Sequence, residues 1–243
     1  MGMDIGEQTI SSAAEAIIKS QLDKVDSLEI EVHTDPVKLT QGQIDSLFVR
    51  GKGLVIQNDL RTEDLVLEAS AVDISMLKMA TGTFELDAPA DASAKIVLKP
   101  DDVQTAFNAD YVKQKMRGQK IDLGSGDRVT TDASNITFTI PEAGRIAVSA
   151  DVMLIEKVET HHVAFSAKPV LVEQGQGVAL TDVQYDQADN DMPALTRSLI
   201  ASTQDLLDFR TFDIGDITLQ VTQLDVQPDR LVFAANARIT SFG

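Results

Sequence analysis

The chain has no cysteine, no tryptophan and only three histidines, and aromatic residues make up 5 % of its 243 positions. The missing thiols exclude disulfides, thiolate metal sites and cysteine nucleophiles. Of the histidines, His33 stands alone before Asp35-Pro36, whereas His161 and His162 are adjacent and in a strand point to opposite faces, so they cannot chelate one ion together. With so few rings, aliphatic side chains must do most of the packing. Cations are also scarce, 21 Lys and Arg against 38 Asp and Glu for a net charge of −17, and that balance opposes nucleic acid or strongly anionic membranes as partners attracted by bulk charge. No window reaches the roughly 18 to 20 apolar residues of a membrane span. The first residues, Met1 to Glu7, carry no basic segment followed by an apolar run, so no signal peptide is read and a cytoplasmic or peripheral cytoplasmic-face location is expected.

The usual announcements of chemistry are missing too. Gly124-Ser-Gly126 is too short for the nucleophile elbow of a hydrolase, and Gly51-Lys-Gly53 lacks both the third glycine of a dinucleotide loop and the ending of a P-loop, so it reads as a turn. Asp182, Asp186, Asp189 and Asp191 crowd a loop but depart from the calcium-binding EF-hand spacing; acids before a helix complement its dipole. A hydrolase assembled from distant acids, such as Asp151 with Glu156 or Glu159, would need a nucleophile and base that no motif brings together. The expectation is therefore a protein that is not an enzyme and holds neither cofactor nor metal.

What is present is strand-like repetition. Asp64-Leu-Val-Leu-Glu-Ala-Ser-Ala71, Arg145-Ile-Ala-Val-Ser-Ala-Asp-Val152 and Arg230-Leu-Val-Phe-Ala-Ala-Asn-Ala237 each open on a charge and alternate bulky apolar residues with alanine at the period of a strand with one buried face. Three segments have helical spacing instead: residues 7 to 24, with Ile10, Ala13, Ala14, Ile17 and Leu22 on one side; residues 101 to 117, between Pro100 and Gly118; and residues 192 to 209, with Leu195, Leu199 and Leu206 in line. Most of the remainder reads as strand. Pro141-Glu-Ala-Gly144, Gln174-Gly-Gln-Gly177 and Gln227-Pro-Asp229 are short connections that favour antiparallel hairpins. The pattern gives an α+β fold in one domain over residues 1–243, a strongly curved antiparallel β-sheet with about three long amphipathic helices, and it suggests degenerate helix-plus-meander repeats beginning near 7, 101 and 191.

Three helices are few for some ten strands, so a curved sheet face could enclose space rather than pack flat. The residues expected to line such space are Ile17, Leu67, Ala69, Phe107, Val148, Ala150, Leu195, Leu199, Phe233 and Ala235, the alanines thinning the inner wall. The same side chains serve equally as ordinary core. Lys113, Lys115, Arg117 and Lys120 gather at the end of the second helix, where cations suit the dipole and could also meet a lipid headgroup.

The segment Leu39-Thr-Gln-Gly-Gln-Ile-Asp-Ser-Leu-Phe-Val-Arg-Gly-Lys-Gly53 followed by Asp64-Leu-Val-Leu67, together with the order of elements, resembles a family of cyanobacterial and actinobacterial proteins that includes the LmeA-like phospholipid-binding proteins. The resemblance implies an elongated, tubular lipid-binding architecture and phospholipid or fatty acid as partner, held by its acyl chains in an apolar groove, with peripheral membrane contact and a part in envelope or membrane lipid homeostasis. It brings no residue-level site. The alternative from the residues alone is a scaffolding protein with a dry core that associates with a protein partner.

Overall fold

The computed structural model describes the whole chain except residues 1–4, 57–58, 82, 84, 124–125, 127, 186–192, 209–216 and 241–243. In chain order the elements are α1 (Ile5–Gln21), β1 (Ser27–His33), α2 (Pro36–Leu39), β2 (Gln43–Ile56), β3 (Leu60–Asp73), α3 (Met76–Ala80), β4 (Ala90–Leu98), α4 (Pro100–Asn108), α5 (Asp110–Met116), β5 (Gln119–Asp122), β6 (Arg128–Glu142), β7 (Arg145–Leu154), β8 (Glu159–Val172), a 3₁₀ turn (Glu173–Gly175), β9 (Gly177–Gln184), α6 (Pro193–Leu206), β10 (Ile217–Gln227) and β11 (Arg230–Ile239). The fold is α+β and mostly antiparallel sheet, with a curled half-barrel sheet and a few helices. The strands form a six-stranded sheet in the order β1-β2-β3-β4-β11-β10 and a five-stranded sheet in the order β5-β6-β7-β8-β9. Each copy of the repeated phrase lies inside a strand, β3, β7 or β11.

Two compact units result, residues 1–98 with 212–223 and 232–243, and residues 99–211 with 224–231. In the first, α1 packs Ile10 and Ala14 onto one face of the six-stranded sheet against Ile30, Val32, Leu47, Val49, Ala69, Ala92 and Ala237, with Ile17 and Ile18 half-buried beside them. The Ser11 hydroxyl accepts a hydrogen bond from Val32 N–H (3.1 Å) and the Glu7 carboxylate accepts one from Thr34 N–H (2.9 Å), so the helix also occupies the outer edge of β1. An edge strand left bare would invite pairing with another chain.

Gly51-Lys-Gly53 is no turn: it lies within β2, whose pairing with β3 runs through Gly51↔Leu65 and Lys52↔Asp64. Gly53 sits at φ +58, a backbone conformation that favours glycine; a Cβ there would fall 2.0 Å from Asp26 Oδ2, the end of an exposed side chain that could turn aside. Two glycines in three residues resemble turn chemistry in sequence; here they lie inside a strand whose register with β3 runs on unbroken.

The second unit seats α4 on β6, where the Phe107 and Phe138 rings stack at 6.1 Å between centroids. The helix expected over 101 to 117 is broken in two at Ala109, whose ψ of 147 is extended. Its cause is Asn108, whose side-chain amide donates to the Ile136 carbonyl (2.6 Å) and accepts from Ile136 N–H (3.2 Å). It satisfies the β6 backbone where the β6–β7 register shifts between Ser134 and Thr137. On this unit's core, Leu195, Thr196, Leu199 and Thr203 of α6 are all buried.

Among the described residues, no helix is long and apolar enough to cross a membrane.

Candidate functional site

Three places can be compared, beginning with the interior of the second unit. Leu195 and Ala150 are 0 % exposed, Val148 2 %, Leu199 3 % and Phe107 8 %. The crevice beneath α6, bordered by Met116, Thr131, Ala133, Val152, Leu195 and Leu199, has a volume of about 10 Å³. That is room for about one water molecule. Five of the ten residues expected to line a cavity are thus packed side chains in this unit.

A broad trough lies on the six-stranded sheet of the first unit, on the face opposite α1. Register fixes its lining: His33, Ser46 and Ser70 stand in one cross-strand row, and Glu31, Phe48, Glu68 and Ser93 in the next. With residues from β10 and β11 they bound a trough of about 950 Å³. Its small serines leave the space open. Arg50 lies 5.0 Å over the Phe48 ring and 3.6 Å from Glu29, while Arg238 pairs with Asp91 at 2.9 Å. Three carboxylates (Glu31, Glu68, Asp91) and two guanidiniums stand among its lining, so an acyl chain laid across them would strand charged groups. Ala69 is the one expected lining residue that borders it. A second trough of about 560 Å³, bordered by Thr137, Ser149, His162 and Ser166 and by Val148 and Phe165, lies on the five-stranded sheet, so Val148 is a second expected lining residue that borders a trough.

The third place is the α1-side face of the six-stranded sheet. There the pairings Val49↔Leu67↔Ala94 and Gly51↔Leu65↔Ile96 continue the apolar rows of the core along the strands. Alternation along β11 puts Phe233 and Ala235 on the same face as Ala237, a core residue. Where the core cluster ends, Leu65, Leu67, Ala94, Ile96 and Phe233 are only half-buried. This apolar strip lies beside half-buried Ile17 and buried Ala69 and Ala235, so the structure brings Ile17, Leu67, Ala69, Phe233 and Ala235 together on one face. Leu65, Ala94 and Ile96 were missed, although each lies two or four positions from an apolar residue of the same strand period.

The basic group is distributed along a short path. Lys113 and Lys115 lie on α5, Arg117 follows it and pairs with Asp132 at 3.5 Å, and Lys120 lies on β5 near the Glu156 carboxylate. The acids considered for catalysis are each engaged in local structure. Asp151 accepts from the Asn135 amide (2.9 Å) and lies 2.9 Å from His162 Nδ1; these contacts, the amide first, hold its carboxyl below the ordinary value. Glu156 accepts from the Thr130 hydroxyl and N–H (both 2.7 Å), which lowers it likewise. His161 and His162 face different carboxylates, Glu159 and Asp151. Asp182 meets Lys168 at 2.9 Å and also the buried Arg145, and is lowered mainly by the lysine; its companions Asp186, Asp189 and Asp191 lie outside the described residues.

The profile of the LmeA-like phospholipid-binding family matches residues 2–236, nearly the whole chain. The protein belongs to that family. No curated protein and no solved structure matches it significantly. Family membership suggests lipid as the partner of this LmeA-like protein.

Proposed function

We propose that this LmeA-like protein binds phospholipid without chemistry, its acyl chains lying along Leu65, Leu67, Ala94, Ile96 and Phe233 and reaching Ile17, Ala69 and Ala235. Membership of the phospholipid-binding family over residues 2–236 carries this reading. The strip supplies the physical means: each acyl methylene removed from water contributes about 0.8 kcal/mol, so affinity comes from burial rather than directed hydrogen bonds. The proposal does not extend to Phe107, Val148, Ala150, Leu195 and Leu199, which are buried in the second unit.

Organic extraction and native mass spectrometry of the purified protein test this. Phospholipid or fatty acid should be recovered, and the paired changes Leu67→Gln and Phe233→Ser should reduce it several-fold. Protein that is consistently lipid-free and fails to take up a fluorescent acyl probe overturns the reading.

A further inference from the structure

Two short helical turns at one end of the six-stranded sheet hold their apolar residues outward. Val37 of α2 is 67 % exposed, and Met76 and Leu77 of α3 are 39 % and 79 % exposed. The turns are neighbours: Ile74 N–H donates to the Gly42 carbonyl (2.8 Å), and a Cβ on Gly42 would lie 3.3 Å from Met76 Cγ. They are also anchored. Beneath them Leu39, Ile74 and Leu86 are 8 %, 1 % and 7 % exposed, Asp35 caps α2 by accepting from Val37 N–H, and the Thr40 and Thr81 hydroxyls donate to the Val37 and Lys78 carbonyls. Water therefore meets large apolar side chains on built turns, not on frayed ends.

A lysine directly follows the outermost apolar residue of each turn. Lys38 and Lys78 are half-exposed and pair with exposed carboxylates, Asp45 at 2.6 Å and Glu85 at 3.1 Å. The Asp45 carboxylate raises Lys38 above the ordinary lysine value, so it stays charged. Exposed pairs of this kind contribute little, and exchanging a carboxylate for a phosphate costs little. Lysine stems can lie along an apolar boundary while their ammonium groups reach polar atoms.

We infer that this end of the first unit docks on a phospholipid bilayer, with Val37, Met76 and Leu77 entering the acyl boundary and the Lys38 and Lys78 ammonium groups meeting lipid phosphates. The inference rests on the reading of the protein as phospholipid-binding and adds the surface by which it meets the membrane. Three protruding side chains on two turns form too small a surface for a stable interface with a second copy, which needs about 800 Å² per partner. Charge selects the bilayer. Asp35, Asp45 and Glu85 outnumber the two lysines, and the whole chain carries −17, so a zwitterionic surface, which supplies phosphates without net negative charge, is favoured over a strongly anionic one.

The absence of native tryptophan makes the test direct, because a Leu77→Trp variant carries a single reporter. Its emission should shift to the blue when phosphatidylcholine–phosphatidylethanolamine vesicles are added. Flotation with the same vesicles should recover the wild-type protein, and the Val37→Asp/Leu77→Asp double variant at least tenfold less, with its thermal midpoint and extractable lipid unchanged. Substituting phosphatidylglycerol into the vesicles should weaken binding at low salt. Unaltered flotation of the double variant overturns the inference, as does wild-type protein that carries lipid yet ignores vesicles. A steep gain with anionic lipid overturns the zwitterionic assignment, and loss of a dimer as the variant's only defect assigns the turns to self-association instead. Protein with no extractable lipid would count against the functional reading while leaving the vesicle result to stand by itself.

Discussion

The two units use the same strand phrase against different amounts of cover. In β7 the phrase places Val148 and Ala150 at 2 % and 0 % exposure, in a unit where α6 leaves a crevice of about 10 Å³. In β3 it places Ala69 at 6 % but leaves Leu67 half-buried, because the core cluster packed under α1 ends along that strand. A bulky residue followed two positions later by alanine therefore specifies a face, not a cavity. What lies over the face decides whether it is core or available surface.

The largest test of that contrast is truncation. Leu195→Ala removes a side chain with no exposure from a dense core and should cost about 2 to 5 kcal/mol, read by denaturant unfolding. Leu67→Ala in the strip should cost under about 2 kcal/mol and should instead reduce the recovered lipid. Comparable stability losses at the two positions would erase the distinction between the units.

Arg145 sharpens it next. Its guanidinium, 7 % exposed, donates to Glu142, to the Ser166 hydroxyl and to both the carbonyl and carboxylate of Asp182, tying the β6–β7 turn to β9. Arg145→Met should destabilise by about 1 to 3 kcal/mol, since several charge-assisted bonds go while Asp182 keeps Lys168 and water. Lipid recovery should not change; if it falls together with stability, the second unit takes part in binding.

The smallest effect concerns pH. Asp151 is depressed in the folded protein by Asn135 and then by His162, so its contribution is complete above the ordinary carboxylate range and is lost as pH falls through the lowered folded value. Asp151→Asn should therefore lower stability slightly at neutral pH and converge on the wild type as pH falls through the lowered value, as thermal melts across pH 2 to 7 would show. An equal loss at all pH values would mean that the site matters for shape rather than charge.

Much of the fold was legible because it depends on local period. The alternation in β3, β7 and β11, the stripe on α1 and the short hairpin connections are nearest-neighbour signals. The break at Ala109 was not, since Asn108 acts on Ile136, 28 positions away, and its role is set by a bulge in another element. Nor was β2 across Gly51 and Gly53, where the positive φ of Gly53 decides the choice of glycine inside a strand. At the candidate site, the period identified Leu67, Ala69, Phe233 and Ala235 as facing one way. It could not reveal which of them α1 would cover, because cover is tertiary. Val37 and Leu77 were unreadable for the same reason: one apolar residue in a turn looks like core until its surroundings are known.

The seating of α1 on β1 depends on two unlike rulers agreeing. Glu7 and Ser11 are one helical turn apart, a rise of about 6 Å, and Thr34 and Val32 are two strand residues apart, about 6.7 Å. Running in opposite senses, helix and strand bring both pairs into register, and the helix grips the sheet edge much as a further strand would. Such a match holds over two marks and drifts beyond them. One residue inserted between Glu7 and Ser11 would turn the helix by about 100°, breaking the grip and rotating Ile10 and Ala14 off the sheet together.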